Sequence, residues 1–330
     1  VADYRPKTTL QAAAYERASQ LGYPERKNEK WRYFAGHPMM QPSYERAQRP
    51  SLARQKQWWQ QAKTRYDLDA SMCLVWLDGY FCPDLSAKVW PKELVLQVVN
   101  ATDVQSDTEL DGAKIEDDFF AQLAIAMREE SIELTVTAGD RLRSRLVCVI
   151  GATGGSNRIF SSHLSVVAKA QSTLHLDVLF IQDHADQNLY LPQIDYQLRS
   201  HSAVRVGVYQ LDRCQDAVVM HQHATQANDS DWSVKTVSMG ANKVLFDSCA
   251  KQLESRATSI LESLQFCDCI DRHQCHIRHH MQATDGKARQ RHRAIANGQA
   301  KTIFNGQVTV HHGAEQSQSE QSSHSLLQSR

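Results

Sequence analysis

From about residue 158 to the end of the chain, apolar and polar residues alternate and helical periodicity nearly vanishes. Leu164-Ser-Val-Val, Leu174-His-Leu-Asp-Val, Ile194-Asp-Tyr-Gln-Leu and Val204-Arg-Val-Gly-Val are all period-2 runs. Such runs send successive side chains to opposite faces of a strand. A corner of small residues recurs at Lys169-Ala170, Ser202-Ala203, Gly240-Ala241 and Gly313-Ala314. The spacings are 33, 38 and 73 residues, the last close to double the others. Strand, corner, strand at a loose period is how stacked coils look in sequence. Residues 158–330 therefore read as a right-handed parallel β-helix. A β-sandwich would show similar strands but not the recurring corners. Leu253–Leu264 has helical composition, conflicts with this pattern, and is read as strand or loop.

Residues 1–70 read as a separate helical region. Thr8 with Gln11 makes a capping-box pattern ahead of Leu10–Leu21, which Gly22 and Pro24 stop. A second helix is expected from about Ser51 to Tyr66, with one of Trp58 and Trp59 packed and the other covering a neighbouring surface. Residues 71–157 read as mixed α/β: strands at Met72–Leu77, Leu94–Val99, Ile132–Val136 and Leu146–Ile150, and an amphipathic helix over Asp117–Glu130. Gly151-Ala-Thr-Gly-Gly-Ser156 lacks the Gly-Lys-Ser/Thr ending of a phosphate loop and reads as a turn joining domains.

Lys plus Arg equals Asp plus Glu, at 37 each. A net charge near zero argues against nucleic-acid and membrane-surface roles. The expected location is the cytoplasm, because no apolar run approaches a membrane span and the first residues lack a signal-peptide core. The eight cysteines then read as reduced thiols.

Three short motifs occur in order. The first is Asn28-Glu29-Lys30-Trp31-Arg32-Tyr33-Phe34, after Gly22-Tyr23-Pro24. The second is Asp78-Gly79-Tyr80-Phe81 with Pro83-Asp84-Leu85-Ser86. The third is Phe304-Asn305-Gly306, read as a turn, with the strand Gln307–Val310 after it. Together they resemble the SufB/SufD family of SUF-system iron–sulfur assembly scaffolds, most closely its SufD branch. That resemblance implies a non-catalytic scaffold that works with a sister SufB-type scaffold and a SufC-type ABC ATPase. It also implies a transient iron–sulfur cluster, and a reduced flavin in some complexes, with no cofactor held by the isolated chain. The family's later histidine-bearing segment and its ATPase-docking helices have no counterpart here, and His312-Gly313-Ala314 is not that segment. The pattern stops in mid-strand at Leu326-Leu327, so the chain reads as truncated. Its open terminal coil makes edge pairing into a homodimer an expectation.

Cys267, Cys269, Cys275 and His276 form the only dense group of soft ligands, a set that suits zinc or iron. On a strand, Cys267 and Cys269 would share one face as small core residues, with the nearby histidines on the opposite, solvated face. Eight of the fifteen histidines lie between His273 and His324. Trp31 reads as an anchor for the N-terminal segment. The acid pairs Asp117-Asp118 and Glu129-Glu130 read as solvated helix residues, and no catalytic set emerges. The alternatives are a carbohydrate-binding or carbohydrate-active β-helix, which the missing acidic cluster disfavours, and a metal-binding protein.

Overall fold

The computed structural model describes residues 4–25, 27, 31–32, 43–68, 72–100, 118–142, 144–182 and 187–328. Three helices precede or flank the sheets: α1 (Thr9–Leu21), α2 (Leu52–Tyr66) and α3 (Phe119–Met127). The strands are β1 (Glu45–Arg46), β2 (Cys73–Leu77), β3 (Tyr80–Phe81), β4 (Leu94–Asn100), β5 (Glu130–Val136) and β6 (Leu146–Gly151). They continue as β7 (Arg158–Ala168), β8 (Thr173–Ile181), β9 (Leu189–Leu198), β10 (Ala203–Gln210), β11 (Cys214–Gln226) and β12 (Asp231–Met239). The last six are β13 (Ala241–Gln252), β14 (Thr258–Cys267), β15 (Arg272–Met281), β16 (Lys287–Ala296), β17 (Lys301–Val310) and β18 (Gln318–Leu327).

Odd and even strands separate into two sheets. Sheet A runs β17-β15-β13-β11-β9-β7-β5-β4, and sheet B runs β18-β16-β14-β12-β10-β8-β6-β2-β3. Pairing is parallel along both, except at β4 with β5 and β2 with β3. The chain alternates between the sheets, one coil per strand pair, giving a β-solenoid of about seven turns. Sheet B already includes β2 and β6, so the stacked architecture extends to residues before 158.

The coil is set by a repeated corner rather than by small residues. Gln171, His201, Asp229, Arg256, Asp285 and Gln316 all adopt φ between 56° and 61°. They stack one per coil, about 30 residues apart. Each N–H donates to the corner carbonyl of the next coil: Gln171 to Ser200 (3.0 Å), His201 to Asn228 (3.0 Å), Asp229 to Ser255 (3.1 Å), Arg256 to Thr284 (3.0 Å). Ser172, Ser202 and Ser230 donate their hydroxyls back to the residue three earlier and close the turn. The expected corner at Gly240-Ala241 lies at the opposite edge, between β12 and β13, where Gly240 has φ 93°. A Cβ there would approach Arg213 Cα to 2.9 Å.

Leu253–Leu264 resolves as a corner followed by most of β14. The first half of the lumen is apolar, built from Leu164, Leu176, Val178, Phe180, Ile194, Tyr196, Val206 and Trp232 among others. Phe304-Asn305-Gly306 is not a turn but the middle of β17. Its Gly306 faces the lumen, where a Cβ would collide with Gln290. Phe304 stacks on His292 with ring centroids 4.7 Å apart.

The N-terminal elements cover the sheets. Thr8 caps α1 by accepting from Gln11 N, and Gly22 ends it at φ 69°. Ser51 caps α2, and Trp59 is buried while Trp58 stays half-buried. Asp78 (φ 54°) and Gly79 (φ 82°) turn β2 into β3. Asp78 accepts from both the amide and the hydroxyl of Thr153, at 2.9 and 2.6 Å, and so fastens the β6–β7 turn to that hairpin. Of the first motif, Trp31 is buried against Phe120, with centroids 4.9 Å apart, as an anchor. Residues 28–30, 33 and 34 of that motif lie outside the described residues, as does Asp117.

Candidate functional site

The four expected ligands are not brought together. β14 ends at Cys267, so Cys267 and Cys269 do not share a strand face. Cys269 sits beyond the strand end at φ 56°, exposed, with Arg213 Nη2 donating to its sulfur at 3.2 Å. Cys267 is fully buried, and burial pushes its thiol pKa up. Cys275 points into the lumen, where burial pushes its thiol to about 12 although it hydrogen-bonds Ser263. His276 follows it in the strand and therefore faces out of sheet A, in register with Asp247 and Asn305. Among the described residues no three His, Cys, Asp or Glu side chains could hold a metal ion.

This arrangement sets an asymmetry. Changing Cys275 to Ser should cost about 1–3 kcal/mol, because a hydroxyl replaces a small hydrophobe in the lumen. Changing Cys269 to Ser should stay within about 0.5 kcal/mol. Urea denaturation separates the two. Elemental analysis should find no metal change in either; tightly bound metal lost from a folded Cys275→Ser protein would show that the thiol is a ligand.

Of the eight histidines between His273 and His324, His311, His312 and His324 are exposed and His280 is half-buried, but the other four do not lie on a solvated face. His273, His276, His279 and His292 are all buried. The last coils have a polar lumen because His273 and His279 find serine partners on the facing sheet and His292 finds one on the neighbouring strand of its own sheet. His273 Nδ1 meets Ser238 Oγ at 2.9 Å, and its Nε2 donates to the Ala241 carbonyl at 2.8 Å. His279 Nδ1 meets Ser259 Oγ, and His292 Nδ1 meets Ser263 Oγ, each at 2.7 Å. Burial lowers the pKa of His273 to about 4, of His279 to about 3 and of His292 to about 4. At neutral pH they are uncharged hydrogen-bonding groups.

A second polar cluster lies outside sheet A, beneath α3. Asp195 on β9 is held between two imidazoles from neighbouring coils. His163 Nε2 lies 2.9 Å away on β7, and His223 Nδ1 lies 3.2 Å away on β11. Burial pushes the Asp195 carboxyl up, but those two hydrogen bonds outweigh it and hold the group well below the usual range. Asp118 caps α3 by accepting from Phe120 N and Ala121 N, and His221 Nε2 lies 3.6 Å from the same oxygen. Gln193 donates to Ala121 O and accepts from Arg128, while Ser161 donates to Ala124 O. The bonds from Ser161 and Gln193 fix α3 to two neighbouring coils, and His221 of a third lies close to its cap. Glu129 and Glu130 are not free helix acids either. Glu129 pairs with Lys7 at 2.7 Å and with Arg46, and Glu130 pairs with Arg49.

Sequence reading missed this cluster because its members lie about one coil apart and share no local motif. Only a correct coil register would align His163, Asp195 and His223. Chemically the cluster orients and orders: the hydroxyl that adjoins it, Ser131 Oγ at 2.9 Å from His163 Nδ1, is buried. No helix among the described residues is long and apolar enough to cross a membrane.

The described residues form a solenoid of parallel coils with helices packed on it and buried imidazoles in its last coils. Residues 150–330 match the family described as SUF system FeS cluster assembly, SufBD core domain. The chain belongs to this family, whose work is iron–sulfur cluster assembly. The matched span begins at the end of β6 and takes in every later coil. None of the curated proteins matches the chain.

Proposed function

We propose that the chain is a non-catalytic scaffold subunit of the SufD type, acting in the cytoplasm beside a sister SufB-type scaffold and a SufC-type ABC ATPase. The observation that carries this reading is the core-domain match laid over the coils from the end of β6 onward. Two features support it. His273, His279 and His292 are paired with serines, and His163 and His223 share Asp195. The motifs that resemble the family fasten the solenoid: Asp78-Gly79 closes the N-terminal hairpin, and Phe304 and Gly306 fill the lumen. The iron–sulfur cluster is then transient cargo of the assembled complex, and any reduced flavin is bound by the complex rather than by the isolated chain.

The test is co-expression of the full gene with a sister scaffold and an ATPase, followed by anaerobic reconstitution with iron, sulfide and an apo acceptor protein. The expected result is a stoichiometric complex that transfers clusters only when all subunits are present. Cluster assembly and transfer by the isolated chain, or its absence from the complex, would overturn the proposal.

A further inference from the structure

Val89 is the most exposed of the large apolar side chains among the described residues, at 81%. It stands on the rim of a groove of about 630 Å³ between α2 and residues 84–89, which follow β3. Trp59 and Leu85, both buried in one apolar cluster, form the floor. The wall opposite α2 is tied to β2. Ala87 N donates to Cys73 O at 2.9 Å, and Ser86 Oγ accepts from Val75 N at 3.0 Å. The groove is therefore preformed, and an occupant need not order it. It is open to solvent rather than enclosed. Small-molecule sites bury most of their ligand, so an open groove better suits a stretch of chain laid along it.

The lining sets three lysines, Lys56, Lys63 and Lys88, against one carboxylate, Asp84. Lys88 is taken up within its own loop. Its Nζ lies 3.1 Å from Asp84 and donates to Pro83 O at 2.9 Å. Lys56 and Lys63 have no ion-pair partner among the described residues. With Gln60 they occupy one face of α2, and the two lysine positions lie about 10 Å apart along the axis. No acidic residue on α2 compensates them. Lys63 is half-buried, so a carboxylate brought to it gains more than it would beside a fully solvated cation.

We propose that this groove binds an extended acidic segment of a partner protein, with carboxylates reaching Lys56 and Lys63 and one apolar side chain seated between Trp59, Leu85 and Val89. Charge complementarity argues for the acid, since the groove carries two cations that nothing on α2 or on the opposite wall neutralises. The apolar floor and the exposed Val89 argue for the apolar residue. An extended chain covers ~10 Å in about three residues, so the two carboxylates bracket that residue closely in sequence. The groove lies outside the matched residues 150–330, and its use is independent of the scaffold role.

The probe is the fluorescein-labelled peptide Gly-Glu-Glu-Leu-Glu-Glu-Gly. Fluorescence anisotropy on the whole chain should show saturable binding with Kd of order 100 μM, as suits so small a contact. Lys56→Gln and, separately, Lys63→Gln should each weaken it about fivefold. Val89→Asp should do the same, and so should serine in place of the peptide's leucine. Lys169→Gln, on an exposed corner of the solenoid, should leave binding unchanged. Circular dichroism and the melting temperature should match the parent chain in every variant, and added salt should weaken the peptide. Absence of saturable binding, undiminished binding by the folded Lys56→Gln and Lys63→Gln variants, or an equal loss in Lys169→Gln overturns the proposal. So does pyrophosphate that displaces the peptide at concentrations below the peptide's own Kd, which would make a small phosphate ligand the occupant.

Discussion

Between pH 6.5 and pH 4 this chain should lose several kcal/mol of stability, a steeper change than any between pH 7 and 8. The cause is the polar lumen. His273, His279 and His292 have folded pKa values lowered to about 4, 3 and 4, against an ordinary 6.5. Above about pH 7.5 both folded and unfolded histidines are neutral and add no slope, leaving a gentler rise of stability with pH from Lys243, which burial holds at about 7. As pH falls through 6.5 the unfolded chain binds protons that the folded lumen excludes, so stability falls until the folded pKa is reached. At about 1.4 kcal/mol per unit for each histidine, His273 and His279 each account for ~3 kcal/mol by pH 4. His292 contributes less, because a single coil lies over it. Burial raises the carboxyls of Asp78, Asp231 and Asp271. They take up protons earlier in the folded state and offset part of the loss below about pH 5. Urea midpoints measured at half-unit steps check this. Replacing His273 and His279 by Gln should flatten the slope, while His312→Gln on the exposed surface should leave it alone. A flat profile from 6.5 to 4.5 in the wild-type chain would refute the neutral-lumen account.

The strands themselves were legible. Alternation located the solenoid, and capping residues located α1 and α2, because both signals are local. The coil period was not, and the reason is physical. A left-handed backbone position is usually betrayed by glycine, but here the stacked corners use Gln171, His201, Asp229, Arg256 and Asp285. Hydrogen bonds to the next coil over-determine these residues, so the corners need no glycine and carry no compositional mark. Counting Gly-Ala pairs therefore mixed two different edges of the coil. The error propagated to the sites. Without register, Cys267 and Cys269 looked like neighbours on one face, and the histidines near 273–292 looked solvated. Gly306 followed Asn305 and looked like a turn, although it is glycine because Gln290 occupies the space a side chain would need. The cluster around Asp195 was invisible for the same reason, since its members meet only through non-local pairing.

That cluster carries the second large expected effect. Asp195→Ala should destabilise the chain by about 3 kcal/mol, because it removes a charged acceptor shared by two buried imidazoles and leaves a hole between coils. Asp195→Asn should cost only about 1 kcal/mol, since an amide of the same shape still offers one acceptor oxygen. The loss should also be local at first. Asp195 lies beside Gln193, which holds the Ala121 carbonyl, and His221 sits by the Asp118 cap. Hydrogen exchange in Asp195→Asn should therefore quicken for α3 amides and for β7 to β11, with little change in β14 to β16. A double-mutant cycle of Asp195→Asn with His163→Gln isolates the pair, and a coupling of about 1–2 kcal/mol is expected from the 2.9 Å contact. Three results would count against a structural lock here: a coupling near zero, equal losses for Ala and Asn, or exchange that quickens uniformly along the solenoid. Any of these would mean that α3 is held by its apolar contacts with Leu189, Leu191 and Leu245 alone. The distinction bears on the scaffold reading. A helix fixed by hydrogen bonds from two successive coils can sit in one position only, whereas an apolar contact alone would let it slide along the sheet.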